Sequence, residues 1–244
     1  MTYASKVLDL AQQVAQSQAD RVSEASALLV GSIRADGVVN AFGSGHSEAI
    51  AMEIAGRAGG LVPSNRLSPR DLVLYGGQPP SVLTPELERD PAVAHQIYDL
   101  APVEPQDVFV LISSSGVNGA VVELATIVKE RGHPLIALTS VEHSTRMTSR
   151  HPSGGKLLDL ADVVLDNGAP YGDAILDLPG GGSYGAVSTI TSALLAQMVV
   201  TEAVDALVAL GETPPIYLSV NVTGGDEHNK ALESRYTGRI RRGS

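Results

Sequence analysis

Apolar residues recur at roughly helical spacing at the start of the chain, at Val7, Leu10, Val14, Ala25, Leu28 and Leu29, and predict helix from about Tyr3 to about Ile33. The period then changes. "GVVNAF" is a β-rich apolar run that ends at glycine and predicts a strand, with helix resuming from about Ser47 to about Ala58. "GLVPSN" predicts a short strand or extended piece. The stretch from about Leu67 to about Pro105 carries Pro69, Pro79, Pro80, Pro85 and Pro91 and predicts irregular chain, with one short helix in "PAVAHQIYDLA". "DVFVLIS", "HPLIALTS" and "ADVVLDN" predict three more strands. "NGAVVELATIVKERG" predicts an amphipathic helix stopped by Gly132. "AILDLP" suggests a further strand, "YGAVSTITSALLAQMVVTEAVDALVALG" a long buried helix, and "GGDEHNKALESRY" a turn and a helix with Asp226 near its start. No internal repeat appears.

Strands alternating with helices imply parallel βαβ units. Three strands run into small polar residues, in "FGSGHS", "LISSSGVN" and "ALTSVEHS". In open parallel sheets, ligands bind outside the carboxyl ends of the strands, so these loops are expected to face one pocket.

Composition narrows the chemistry. With no Trp and two Phe, the core must be aliphatic. Cysteine is absent, which excludes disulfides and thiolate sites. The net charge of -10 argues against nucleic acid as a partner, and Arg235, Arg239, Arg241 and Arg242 read as a solvated C-terminal tail. Thr201, Glu202 and Asp205 interrupt the longest apolar stretch, so no membrane association is expected. The N-terminus lacks an apolar signal core, and the expected location is cytoplasmic.

The first loop is neither common nucleotide motif. Gly43 and Gly45 are in place, but Glu48 occupies the third glycine position of a dinucleotide fingerprint, and a P-loop lysine is missing. The loop keeps anion-binding chemistry, because a helix start offers free N–H groups and Ser44 and Ser47 add hydroxyls. The second loop offers Ser113, Ser114, Ser115, Gly116 and Asn118, and the third offers Thr139 and Ser140. Such residues also serve as helix caps and turns. Their recurrence at three strand ends favours a shared ligand, and neutral donors without lysine suit one phosphate monoester.

These loops resemble those of the sugar isomerase (SIS) domain family. The resemblance spans about Gly37 to about Asn229 and rests on "AFGSGHSEAIAMEIAGRAGG", "VFVLISSSGVNGAVVELA" and "PLIALTS", with Asn118 where many members have Thr. The downstream runs "VEHSTRMTSRHPSGGKLLDLADVVLDNGAPYGDA" and "NVTGGDEHNKALESRY" resemble a phosphoheptose isomerase-like subgroup. The resemblance implies a flavodoxin-like three-layer α/β/α sandwich with a parallel sheet. The chain would be a single domain, with a helical extension over 1–34, a core over 35–230 and a basic end over 231–244. It also implies a homodimer or homotetramer with shared active sites. A sugar phosphate would be gripped by Ser44, Ser47, Ser113, Ser115 and Asn118, with Gly116 in the same loop and Thr139 and Ser140 close by.

Aldose–ketose isomerisation needs a base near two neighbouring carbons and an acid for ring opening. Glu53 sits in an otherwise apolar helix, where a carboxylate needs either a site to line or a route to solvent. Glu48 serves either chemistry or the helix dipole. His46 either touches substrate or shapes its loop. Several family members bring a histidine or lysine from a C-terminal helix into the site, which makes His228 a candidate beside its plainer reading as part of a capped helix start. His143 and His151 read as structural or rim residues, and Asp166, Asn167 and Asp173 as a turn network or a second pocket wall. Phosphoheptose isomerases carry a metal site, but Glu53 and Arg57 stand here where they place a histidine and an acid, so neither metal nor cofactor is expected. The expected reaction is isomerisation. A lyase or etherase acting on a phosphorylated amino sugar, and a non-catalytic sugar-phosphate sensor, are the alternatives.

Overall fold

The computed structural model describes residues 2–241. Its centre is a five-stranded parallel sheet made by β1 (Val39–Gly43), β2 (Ser64–Leu67), β3 (Val108–Ile112), β4 (Leu135–Thr139) and β5 (Val163–Asp166), in the order β2-β1-β3-β4-β5. The strands β1, β3 and β4 are buried along their whole length, as continuous apolar runs in a parallel sheet must be when helices cover both faces. Alternate side chains serve opposite layers. Val39, Ala41, Val108, Val110, Ile112, Ile136 and Leu138 enter one core, while Phe42, Phe109, Leu111, Leu135 and Ala137 enter the other.

The first core is closed by α2 (Ala19–Arg34), α3 (Glu48–Ile54) and α9 (Ser188–Ala209). Val22, Ala25, Leu29 and Ile33 of α2 lie inside it, so this N-terminal helix is part of the main layer. The second core is closed by α4 (Asp71–Leu74), α5 (Ala92–Leu100), α6 (Gly119–Glu130) and α8 (Leu157–Leu160). A short α7 (Val141–Arg146) follows β4. The architecture is the three-layer α/β/α sandwich that the family resemblance implies, built on the parallel sheet that the alternating pattern predicts.

Several boundaries differ from the sequence pattern. The N-terminal helix is two helices, α1 (Tyr3–Ser17) and α2, broken at Gln18, whose side-chain oxygen accepts the Asp166 N–H at 3.0 Å. The site helix α3 stops at Ile54, short of Ala58, because the chain turns extended at Ala55 and adopts positive φ at Gly56. "AILDLP" does not join the main sheet. Ala174–Asp177 forms β6 of an antiparallel hairpin with β7 (Ser183–Ala186), so α9 begins at Ser188 and not near Tyr184.

The C-terminal end is a larger correction. After α10 (Gly225–Glu233) the chain is not a solvated tail. Arg239 donates to both oxygens of fully buried Asp107, at 2.7 and 2.9 Å. Arg241 donates to Asp71 at 3.1 Å and stacks over Tyr75 at 3.8 Å. Arg235 is exposed beside Asp36, and Arg242 lies outside the described residues.

Candidate functional site

In the strand order 2-1-3-4-5, the connections leave β1 and β3 in opposite directions along the sheet, and a crevice opens between their carboxyl ends. A cleft of about 350 Å³ occupies this position. The loop after β1 contributes Ser44, His46 and Ser47, and the loop after β3 contributes Ser113, Ser114 and Ser115, with Asn118 at the start of α6. The rest of the wall is Glu88, His143 and Asp173, the apolar Ile50, Ile112 and Ala186, and Ser188, Thr189 and Ser192 on the first turns of α9. Among the described residues that line the cleft there is no Lys or Arg.

Local sequence explains the first loop. A Cβ at Gly43 would lie 2.3 Å from the Ser47 carbonyl oxygen, so only glycine lets the strand turn directly under the helix start. In the second loop, the Gly116 N–H donates to Ser113 Oγ at 3.1 Å, which closes a tight turn in front of α6. No side chain caps α6, which starts directly after the cleft-lining Asn118. The α9 start is capped: Asp173 accepts from the N–H groups of Val187 (3.1 Å) and Ser188 (2.7 Å) and from Ser188 Oγ (2.7 Å).

Thus the residues named from sequence divide. Ser44, Ser47, Ser113, Ser115, Asn118 and His46 meet in the cleft. Thr139 and Ser140 are buried behind it. Thr139 Oγ1 donates to the Ser114 carbonyl at 3.2 Å, and Ser140 Oγ donates to the Ala169 carbonyl at 2.6 Å while accepting the His143 N–H at 3.0 Å. They brace the loops and do not line the space.

Three acid–base candidates are not brought into the cleft. Glu48 pairs with Arg66 and with Arg70 Nε at 3.1 Å. Arg66 also reaches Asp71, whose carboxyl is pushed up by burial although Arg66 and Arg241 oppose the shift. Glu53 pairs with Arg57 and accepts from Gln197 Nε2 at 2.9 Å, tying α3 to α9. His228 Nε2 contacts the Ile216 carbonyl at 3.0 Å. Its helix α10 leads into Tyr236, which packs on Val38 and Val62 at the amino-terminal ends of β1 and β2, opposite the strand ends that carry the cleft.

Sequence reasoning passed over Glu88, Ser188, Thr189 and Ser192. Glu88 accepts from Ser44 Oγ (3.2 Å) and from Asn118 Nδ2 (2.9 Å), while Asn118 Oδ1 accepts from Arg150 Nη1 at 2.9 Å. Nothing in "PELERDP" marks which glutamate faces inward. The spacing Ser188, Thr189, Ser192 on one helical turn was the available signal for the α9 wall. No group of three or more His, Cys, Asp or Glu side chains able to hold a metal occurs among the described residues.

A family model described as "SIS domain" matches residues 2–140. The chain belongs to the SIS domain family. This SIS protein is 38% identical over 241 residues to UPF0309 protein lmo0025 of Listeria monocytogenes, covering 98% of each chain. It is 39% identical over 225 residues to UPF0309 protein BH3325 of Halalkalibacterium halodurans, covering 92% of each. Among solved structures it is similar to phosphoheptose isomerase GmhA from Neisseria gonorrhoeae, with a TM-score of 0.53 and 20% identity over 82% of this chain and 94% of that one. At that identity the likeness concerns the fold.

Proposed function

We propose that this SIS protein binds a phosphorylated sugar in the crevice between β1 and β3 and interconverts its aldose and ketose forms. The observation that carries the reading is the convergence of neutral side-chain donors from two strand-end loops on one cleft, beside the uncapped start of α6. Such donors hold a phosphate monoester by hydrogen bonding and the helix dipole. The cleft volume suits one small ligand. The phosphoheptose isomerase that shares the fold gives the reading its reaction class by analogy.

The test is a thermal-shift screen with phosphorylated pentoses, hexoses, heptoses and N-acetylhexosamines, each beside its unphosphorylated parent. A ligand at about 100 times its Kd adds about 2.7 kcal/mol, which raises Tm by about 5–10 °C in a chain of this size. Product analysis of the stabilising ligands then separates the chemistries. Isomerisation leaves mass unchanged, ether cleavage releases a fragment, and a sensor yields no product. In this reading the protein works as a homodimer or homotetramer. His228 cannot reach its own cleft, so any role for it needs a second copy; light scattering that shows a monomer removes that role.

A further inference from the structure

The cleft holds two carboxylates, and the hydrogen bonds distinguish them. Asp173 already accepts from three donors, two on one oxygen, and is committed to capping α9. Glu88 accepts one bond on each oxygen, from Asn118 and Ser44, and a carboxylate has about four acceptor positions. It therefore retains basic lone pairs in the cleft. Its carrier is built in place. The single turn Leu87–Arg89 lies against α6 so tightly that a Cβ on Gly119 would come within 2.2 Å of the Arg89 carbonyl oxygen. Arg150 holds Asn118 by its oxygen, which turns the amide N–H toward Glu88.

A fixed carboxylate also divides the cleft. A phosphate dianion beside Glu88 would be repelled by a like charge and would compete for Ser44 and Asn118. The phosphate is left with Ser113, Ser115 and Ser47 beside the uncapped start of α6, and the hydroxyl and carbonyl end of the sugar falls to the Glu88 side. His143 completes the set. The Gly172 N–H donates to its Nδ1 at 3.1 Å, so the ring proton sits on Nε2 as a donor.

Resting on the sugar-phosphate reading, we infer that Glu88 is the catalytic base of this cleft and that His143 is its proton-donating partner. Glu88 takes the proton from the carbon beside the carbonyl, and the released electron pair forms the C1–C2 double bond as the carbonyl oxygen receives the Nε2 proton of His143. The neighbouring hydroxyl then returns a proton to Nε2 as its oxygen becomes the new carbonyl. Glu88 delivers its proton to the former carbonyl carbon, and both side chains end as they began.

The experiment compares wild type with E88Q, H143N and the control E86Q, using every sugar phosphate that stabilises wild type. Asn at 143 keeps an acceptor for the Gly172 N–H but lacks the Nε2 proton. The readouts are thermal stabilisation and incorporation of solvent deuterium at C1 or C2 by NMR. E88Q and H143N are expected to keep the stabilisation and lose exchange by about 100-fold or more, while E86Q, exposed on the same segment, exchanges as wild type does. Undiminished exchange by E88Q overturns the assignment. So does binding of inorganic phosphate at least tenfold tighter in E88Q, which would make Glu88 an occupant of the phosphate cradle. Binding by wild type without exchange overturns the base together with isomerisation, and absence of any stabilisation of wild type defeats the underlying sugar-phosphate reading itself.

Discussion

Two polar regions flank β1, and they are built on opposite principles. Where the C-terminal segment crosses the first strands, formal charges meet as closed pairs. Asp107 accepts from Arg239, from the Val38 N–H at 2.8 Å and from the Glu104 N–H at 2.9 Å, and Asp71 is shared by Arg66 and Arg241. At the crevice the donors are mostly neutral hydroxyls and amides around a void of about 350 Å³. A buried charge persists only when it is fully partnered, so the first region is consistent with holding the fold together. Neutral donors around open space keep capacity for a guest at little cost to the empty protein. Glu48 and Glu53, charged residues in the signature helix, are likewise held in ion pairs and do not line the cleft.

Breaking the paired region has the largest expected effect. Asp107→Ala leaves the Arg239 guanidinium without its carboxylate and strands the Val38 and Glu104 N–H groups, costing about 3–5 kcal/mol in a chemical denaturation experiment. Next is the crevice. Ser115→Leu fills the second loop's donor position and should abolish ligand-induced stabilisation while moving the ligand-free Tm by only a few degrees. A Tm loss as large as that of Asp107→Ala would show that the serine loop belongs to the scaffold.

Acid sensitivity separates the regions in another way. Burial holds the His133 imidazole below the ordinary histidine range, outweighing its hydrogen bond to the Asp107 carbonyl. The ring stays neutral in the fold and charges more readily once unfolded. Its contribution is therefore complete above the ordinary histidine pKa and is lost as pH falls through that range toward the folded value. Glu123 follows at lower pH. Burial alone would raise its carboxyl, but hydrogen bonds from His151 and His95 outweigh burial and hold it low. Urea midpoints at about pH 7.5 and about pH 5.5 should differ in wild type and differ less in His133→Gln. The smallest effect is that of Glu53→Gln. It removes a partly exposed pair with Arg57 worth about 0–1 kcal/mol and should leave turnover intact. Loss of turnover would return Glu53 to the chemistry.

The sheet was legible because β1, β3 and β4 are long apolar runs ended by small polar residues. The crevice was half legible for the same reason, since Ser44 and Ser113 follow strands directly. Other features depended on contacts that no local pattern encodes. Gln18 breaks the first helix because its side chain meets Asp166, 148 positions away. Arg239 is held by Asp107, 132 positions away, and so a segment that reads as a basic tail is built into the fold. Glu88 reaches the cleft because its turn packs on Gly119, a fact invisible in a proline-rich stretch.

Calorimetric titration of the wild-type protein and Ser115→Leu with a stabilising sugar phosphate and with the same sugar lacking phosphate tests the central claim most directly. The expected result is saturable binding of the phosphorylated form to wild type alone, with one site per chain. Equal binding of both sugars, or undiminished binding by Ser115→Leu, would contradict a phosphate grip made by these strand-end loops.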